Sequence, residues 1–153
     1  MAIPKYTVLS IVFVFQVLMP GLYTPFVTAE TNIISAIDAD KSSRKGDLLL
    51  IDIRSAGEWL ETGVAHQAVL ISMHQTGGLE KFSSDLLTMV KGNKQRKIAL
   101  ICAGGIRSAL LQYHLRKQGY SEVLDVSEGM QGSIFKKGWI DQSLPTVAYT
   151  LNQ

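Results

Sequence analysis

The apolar positions of this chain fall into short dense runs, separated by stretches of helical period. Leu48-Leu49-Leu50-Ile51-Asp52-Ile53 is almost continuously apolar, and Ala68-Val69-Leu70-Ile71, Ile98-Ala99-Leu100-Ile101 and Val123-Leu124-Asp125-Val126 read the same way. Runs of this length without alternation predict strands buried on both faces, as in a parallel sheet. Between them the period lengthens. Leu79 to Val90 places Leu79, Phe82, Leu86, Leu87 and Val90 at helical spacing. Ser108 to Gln118 sets Leu110, Leu111 and Leu115 on one stripe, with Gln112, Arg116 and Lys117 opposite, and Gly119 stands where a helix C-terminus takes a left-handed residue. Ser35 to Lys45, with Ile33, Ile34 and Ile37, predicts a short lead-in helix, and Gly129 to Gln153 a last helix plus an extended end. Strands alternating with helices imply right-handed crossovers. The expected class is α/β, a parallel central sheet of about five strands with helices on both faces.

The first residues carry a different pattern. Tyr6 to Ala29 holds no charge, and Val8 to Met19 is an apolar core ended by Pro20-Gly21. Val27-Thr28-Ala29 puts small residues where signal peptidase requires them, so residues 1–29 are expected to be a secretory signal peptide. The core is shorter than the run of about 20 apolar residues that spans a bilayer. A membrane anchor over residues 8–27 is the alternative, if Pro20, Gly21 and Pro25 are tolerated. Residues 30–153 then form one domain, exported to a periplasm or secreted, with no membrane contact once the signal is removed.

Composition narrows the function. The 153 residues include 15 Lys+Arg and 13 Asp+Glu, a net charge of +2. That balance lacks the clustered basic face of a nucleic-acid binder. Lys91 to Lys97 is a brief charge run without interleaved aromatics and reads as a solvated turn. The single cysteine, Cys102, excludes an internal disulfide and a cysteine-based zinc finger, and His66, His74 and His114 do not sit at zinc-ligand spacing. No metal or organic cofactor is called for.

Cys102 nevertheless has a distinctive setting. It is the first residue off a predicted buried strand and opens Cys102-Ala103-Gly104-Gly105-Ile106-Arg107-Ser108, after which a helix begins at about Arg107 or Ser108. Ligands of such sheets sit at the carboxyl ends of the strands. Two glycines let the backbone curl with positive φ and turn its N–H groups inward. The helix N-terminus and the Arg107 guanidinium add positive potential. Each of these favours an anion at the loop centre, and the Cys102 sulfur is the nearest candidate, which makes it a nucleophile for anionic substrates. Phosphoryl transfer and sulfur transfer both fit. Four residues separate Cys102 from Arg107, where cysteine phosphatases show five, and the tighter loop favours sulfur.

Three segments together resemble a single-domain rhodanese, a protein similar to thiosulfate sulfurtransferases, over about Ile33 to Leu144. The first, Leu50 to Trp59, is similar to the family's D-x-R-x-x-x-E-[WYF] signature; the second is the loop Cys102 to Arg107 followed by Ser108. The third joins Gly119-Tyr120-Ser121-Glu122-Val123 to Glu128-Gly129-Met130-Gln131-Gly132. Val64-Ala65-His66-Gln67-Ala68 departs from the family's frequent His-Ile-Pro-Gly-Ala. The resemblance implies that the Cys102 thiolate takes the outer sulfur of a donor such as thiosulfate and passes it to a thiophilic acceptor, cyanide or a thiol. It further implies that the amides of Ala103, Gly104, Gly105, Ile106 and Arg107 hold the sulfur anion, with Arg107 also binding the donor. A sulfur carrier of the same fold without turnover is the runner-up, and a cysteine phosphatase or arsenate reductase the third reading.

The other polar residues read as structural. Arg54 and Glu58 lie four apart, the spacing of a helical ion pair. Asp52, inside an apolar strand, is expected to be hydrogen-bonded to loop backbone, since burying it unpaired is costly. Ser108 is second to the loop. His74 follows Ile71-Ser72-Met73 at the ligand end of a strand and is the other candidate for the site. His114 is expected half-buried on its helix, and Trp59 and Trp139 as packing anchors. In an oxidising compartment Cys102 has no internal partner and stands open to oxidation.

Overall fold

The computed structural model describes residues 32–151, so the signal peptide or anchor expected over residues 1–29 lies outside the described residues. The elements run β1 (Ile33–Ile34), α1 (Ala36–Arg44), β2 (Leu49–Asp52), α2 (Ala56–Thr62), β3 (Val64–Ala65), β4 (Val69–Leu70), α3 (Gly78–Met89), β5 (Ile98–Ile101), α4 (Ile106–Lys117), β6 (Val123–Val126) and β7 (Thr146–Val147). The four apolar runs become β2, β4, β5 and β6. With β1 they form a five-stranded parallel sheet in the order β1-β6-β5-β2-β4, and β3 pairs with β7 in a separate antiparallel ribbon.

Both faces of the sheet are covered, which is why its strands lack polar alternation. Ile51, Ile53, Ile98 and Leu100 face α3 and α4, meeting Phe82, Leu86, Leu111 and Leu115. Leu48, Leu50, Ala99 and Ile101 face α1 and the C-terminal segment, meeting Ala36, Ala39, Met130 and Trp139. Ser35 caps α1 by accepting from the Asp38 amide at 3.1 Å. Trp59 and Trp139 are both buried and His114 is half-buried.

Three expectations are corrected. The lead-in helix forms as α1, but Ile33 and Ile34, read with it, are an edge strand paired with Asp125 and Val126. The C-terminal segment holds no helix among the described residues, because its amides are spent on tertiary partners: Trp139 N–H donates to the Gly129 carbonyl and Ile140 N–H to that of Met130. Leu110 does not share the core stripe of α4. Ser108, Leu111 and Leu115 are buried there, while Leu110 is 67% exposed on the opposite side with Ile106 and Tyr113.

A parallel sheet delivers the C-terminal ends of its strands to one edge. The segments after β2, β4, β5 and β6 therefore converge, bringing the residues around Arg54, His74, Cys102 and Ser127 together. The brace of this edge is a fully buried ion pair. Arg54 Nε and Nη2 grip the Asp52 carboxylate at 2.7–3.0 Å, and the same guanidinium donates to Thr62 Oγ1 and the Gly63 carbonyl, both at 2.7 Å. The Arg54 amide also donates to Asp52 Oδ1 at 3.0 Å, the backbone bond expected of Asp52. Arg54→Ala would strand a buried carboxylate. It is expected to cost about 3–5 kcal/mol of stability, read from the shift in the urea unfolding midpoint. A loss below about 1 kcal/mol, the range of an exposed pair, would contradict the brace.

Candidate active site

The loop after β5 is shaped by backbone pressed against backbone. Gly105 has φ +89°, and a Cβ there would lie 2.1 Å from the Ser127 carbonyl oxygen. Gly129 has φ +66°, and a Cβ would lie 2.3 Å from the Ala103 carbonyl oxygen. Only glycine tolerates either position. The two turns are stitched together by Met130 N–H to Cys102 O at 2.8 Å and Gln131 N–H to Ala103 O at 2.9 Å. Gly104, expected to share the left-handed curl, lies outside that region of φ. One positive φ makes the turn.

The consequence falls on Cys102. Its side chain is 1% exposed, on the α3 and α4 face of the sheet, and its Sγ accepts the Gly105 N–H at 3.1 Å. Ser108 Oγ stands 3.4 Å from Sγ and donates to the Gly105 carbonyl at 3.1 Å. Ser108 thus touches the sulfur itself. α4 begins at Ile106, a little earlier than expected, so the amides of Ile106, Arg107 and Ser108 form its first turn and lack intrahelical acceptors. The positive end of α4 faces the loop.

Arg107 does not swing free. Its guanidinium forms a two-pronged pair with Glu58, Nη1 donating to Oε2 at 2.9 Å and Nη2 to Oε1, and Nη1 also lies 2.8 Å from His74 Nε2. The Glu58 carboxylate, and further the adjacent Cys102 sulfur, hold Arg107 still more firmly protonated than usual. Glu58 in turn is fixed by the start of α2. Ser55 and Glu58 form a capping box, with the Ser55 amide and hydroxyl each donating to Oε2 at 2.9 Å. This corrects the expected pairing of Arg54 with Glu58. Arg54 precedes the cap of α2, so the helical four-residue rule does not apply to it; it reaches only the Glu58 backbone carbonyl, at 3.4 Å.

The structure therefore gathers Cys102, Gly105, Arg107, Ser108, Glu58 and His74 at one place, and leaves Asp52 and Arg54 beneath as the brace. Ala103, Gly104 and Ile106 complete the loop. The sequence reading missed Asp125, which is 4% exposed on β6 with Oδ1 unpartnered. Burial pushes its carboxyl up, partly offset by the Ser108 hydroxyl. Its signal was the same as that of Asp52, a charge inside an apolar run. Among the described residues no cluster of His, Cys, Asp or Glu is placed to hold a metal ion.

The family described as Rhodanese-like domain matches residues 35–133. The chain belongs to this family. As a rhodanese-like protein it is 28% identical over 120 residues to a sulfurtransferase of Allochromatium vinosum, covering 76% of this chain and 97% of that one. It is 28% identical over 98 residues to the thiosulfate sulfurtransferase GlpE of Coxiella burnetii, covering 64% and 82%. The crystal structure of Rv0390 from M. tuberculosis superposes with a TM-score of 0.60 at 21% identity, covering 76% of this chain and 96% of that one. The superposition shows that the fold of this chain, a five-stranded parallel sheet covered by helices, is shared with that structure.

The Glu58–Arg107 pair leaves a pH signature. Arg107, aided by Ser55, holds the Glu58 carboxyl at about 2, well below its ordinary 4.5. The folded state therefore binds this proton later than the unfolded state as pH falls. The stability contributed by the pair is complete above about pH 4.5 and disappears as pH drops through about 2. Glu58→Gln is expected to be less stable than the parent by a constant margin at neutral pH. The margin should narrow across that acid window in denaturant titrations at stepped pH. A margin that stays constant to about pH 2 would contradict the pairing.

Proposed function

We propose that this rhodanese-like protein is a sulfurtransferase that moves a sulfane sulfur from an anionic donor such as thiosulfate to a thiophilic acceptor, through a persulfide on Cys102. The observation that carries the reading is the Gly105 amide aimed at Sγ, beside a guanidinium fixed by Glu58. Together they stabilise negative charge on sulfur before and after loading.

The Cys102 thiolate attacks the outer sulfur of thiosulfate. The donor S–S bond breaks, sulfite leaves with the bonding electrons, and a cysteinyl persulfide anion remains. An acceptor such as cyanide then attacks the terminal sulfur, thiocyanate departs and the thiolate is restored. Charge balances in both steps, and no redox partner or cofactor enters. The amides of Ala103 to Arg107 are assigned to the added sulfur. Arg107 is also assigned to the anionic donor, while Glu58 and His74 hold its guanidinium in place. Export accompanies this reading, with residues 1–29 as the leader.

Intact-mass measurement after incubation with thiosulfate tests it. A gain of one sulfur on Cys102, removed by cyanide, is expected, and Cys102→Ser should show neither adduct nor turnover. Arg107→Ala should still load but with the donor KM raised about 10- to 100-fold, the equivalent of losing one or two charge-assisted hydrogen bonds. An adduct discharged only by a protein partner would identify a sulfur carrier, and aryl phosphate hydrolysis without an adduct would identify a phosphatase. Protein recovered from an exporting host reads export in the same spectrum: a chain beginning at Glu30 for a cleaved leader, the full chain for an anchor.

A further inference from the structure

α4 is apolar on two opposite sides. Its inner side fills the core with Leu111 and Leu115, whereas Ile106, Leu110 and Tyr113 form an outer stripe at the i, i+4, i+7 positions, all strongly exposed. A surface helix ordinarily keeps its outer side polar. Beside the stripe, Ser133 and Lys136 close a tight turn by mutual backbone hydrogen bonds, and its tip carries Ile134 and Phe135, 91% and 87% exposed. A groove of about 510 Å³ lined by Ile106, Leu110, Ser133 and Lys136 joins the two features into one face. Nothing in the packing of the domain requires these five side chains to be apolar.

Cations border this face. Lys117 lies over the Tyr113 ring at 5.4 Å, and Lys136 and Lys137 follow the turn tip. Two carboxylates lie near those lysines: Glu128, which accepts from the amide of Ala36 at the start of α1, and the buried Asp125, within charge range of Lys136. The chain also enters the described domain alongside α4: Gln112 Nε2 donates to the Asn32 carbonyl at 2.6 Å and Arg116 Nη1 to Asn32 Oδ1 at 2.8 Å. The uncharged run ends at Ala29, at most about 11 Å of extended chain from Asn32.

We propose that this face docks the protein on an anionic phospholipid surface, with Ile134 and Phe135 entering the interface, the α4 stripe lying along it and the three lysines resting on headgroups. Apolar tips with basic collars bind in this way, through buried apolar area plus attraction to anionic lipid. Lys136 Nζ donates to Ser127 Oγ at 3.1 Å and Lys117 Nζ sits over the Tyr113 ring, so both charges stand at the rim of the apolar face. A second copy fits less well, because a two-fold contact through this face would gather the Lys117, Lys136 and Lys137 of both copies into one interface. Among the described residues no helix is long and apolar enough to cross a membrane, and the docking proposed is peripheral. The groove begins at Gly104 and Gly105 of the cysteine loop, so the face adjoins the sulfur site, while the vesicle readout itself requires no sulfur loading.

The test uses the full chain with an environment-sensitive fluorophore at one position. In a Cys102→Ser background, Phe135→Cys places the probe on the proposed face, and Lys41→Cys places it on α1, across the sheet. Vesicles of phosphatidylglycerol and phosphatidylcholine are expected to shift the emission of the 135 probe to the blue and raise it several-fold. Brominated lipid should quench it, while the 41 probe stays unchanged. The effect should weaken with salt and with phosphatidylcholine alone. Leu110→Cys is expected to repeat the reading from the helix. The proposal is overturned if the chain binds vesicles while the 135 and 110 probes keep a water-like emission, since residues 6–29 would then hold it alone. A blue shift without lipid that grows with protein concentration would assign the face to a second copy. A shift caused by added protein but not by vesicles would assign it to a protein partner. Either result overturns the proposal.

Discussion

The site depends on one close approach of two backbones. Gly105, with its left-handed φ and no side chain, rests against the Ser127 carbonyl, and that contact turns its N–H onto the Cys102 sulfur. Gly129 makes the reciprocal approach from the turn after β6 onto Ala103. Neither turn holds its shape without the other, so the geometry around the sulfur is set by main chain. Main-chain dipoles fixed in this way need little reorganisation when charge develops, which is what a sulfur anion that gains and loses a neighbour requires.

Two ion pairs with different duties build the rest. Asp52 and Arg54 are wholly buried and tie the end of β2 to the far end of α2 through Thr62 and Gly63. Their worth lies in fixing geometry, since a buried pair repays its desolvation only when its other hydrogen bonds are satisfied. Glu58 and Arg107 are part-exposed and join α2 to α4 across the mouth of the loop. The capping box that starts α2 therefore also sets where the guanidinium stands. Helix initiation and substrate electrostatics share one carboxylate.

What could be read from the sequence was what is local. Four of the five parallel strands announced themselves as dense apolar runs, two of them interrupted by a single aspartate, and the cysteine loop was visible because strand, glycines, arginine and helix follow one another directly. β1 was hidden because a strand of two residues carries no period of its own; its pairing with β6 is a tertiary fact. The partner of Glu58 was hidden because it lies 49 residues away, while a nearer arginine satisfied a helix rule that Arg54, outside the helix, does not obey. Leu110 was misplaced because Leu110 and Leu111 are adjacent and the period alone does not say which faces the core. The C-terminal segment looked helical only while the demands of Gly129 and Met130 on its amides were out of view.

The central claim is that a fixed amide holds the anionic sulfur at Cys102. The most direct measurement is the amide NMR spectrum of the protein, followed through one cycle of sulfur loading and discharge. The Gly105 resonance, with those of Ile106 and Arg107, is predicted to move when thiosulfate is added and to return when cyanide removes the sulfur. Those resonances standing still while Cys102 demonstrably gains a sulfur would show that the loop does not hold the anion, and would contradict the account.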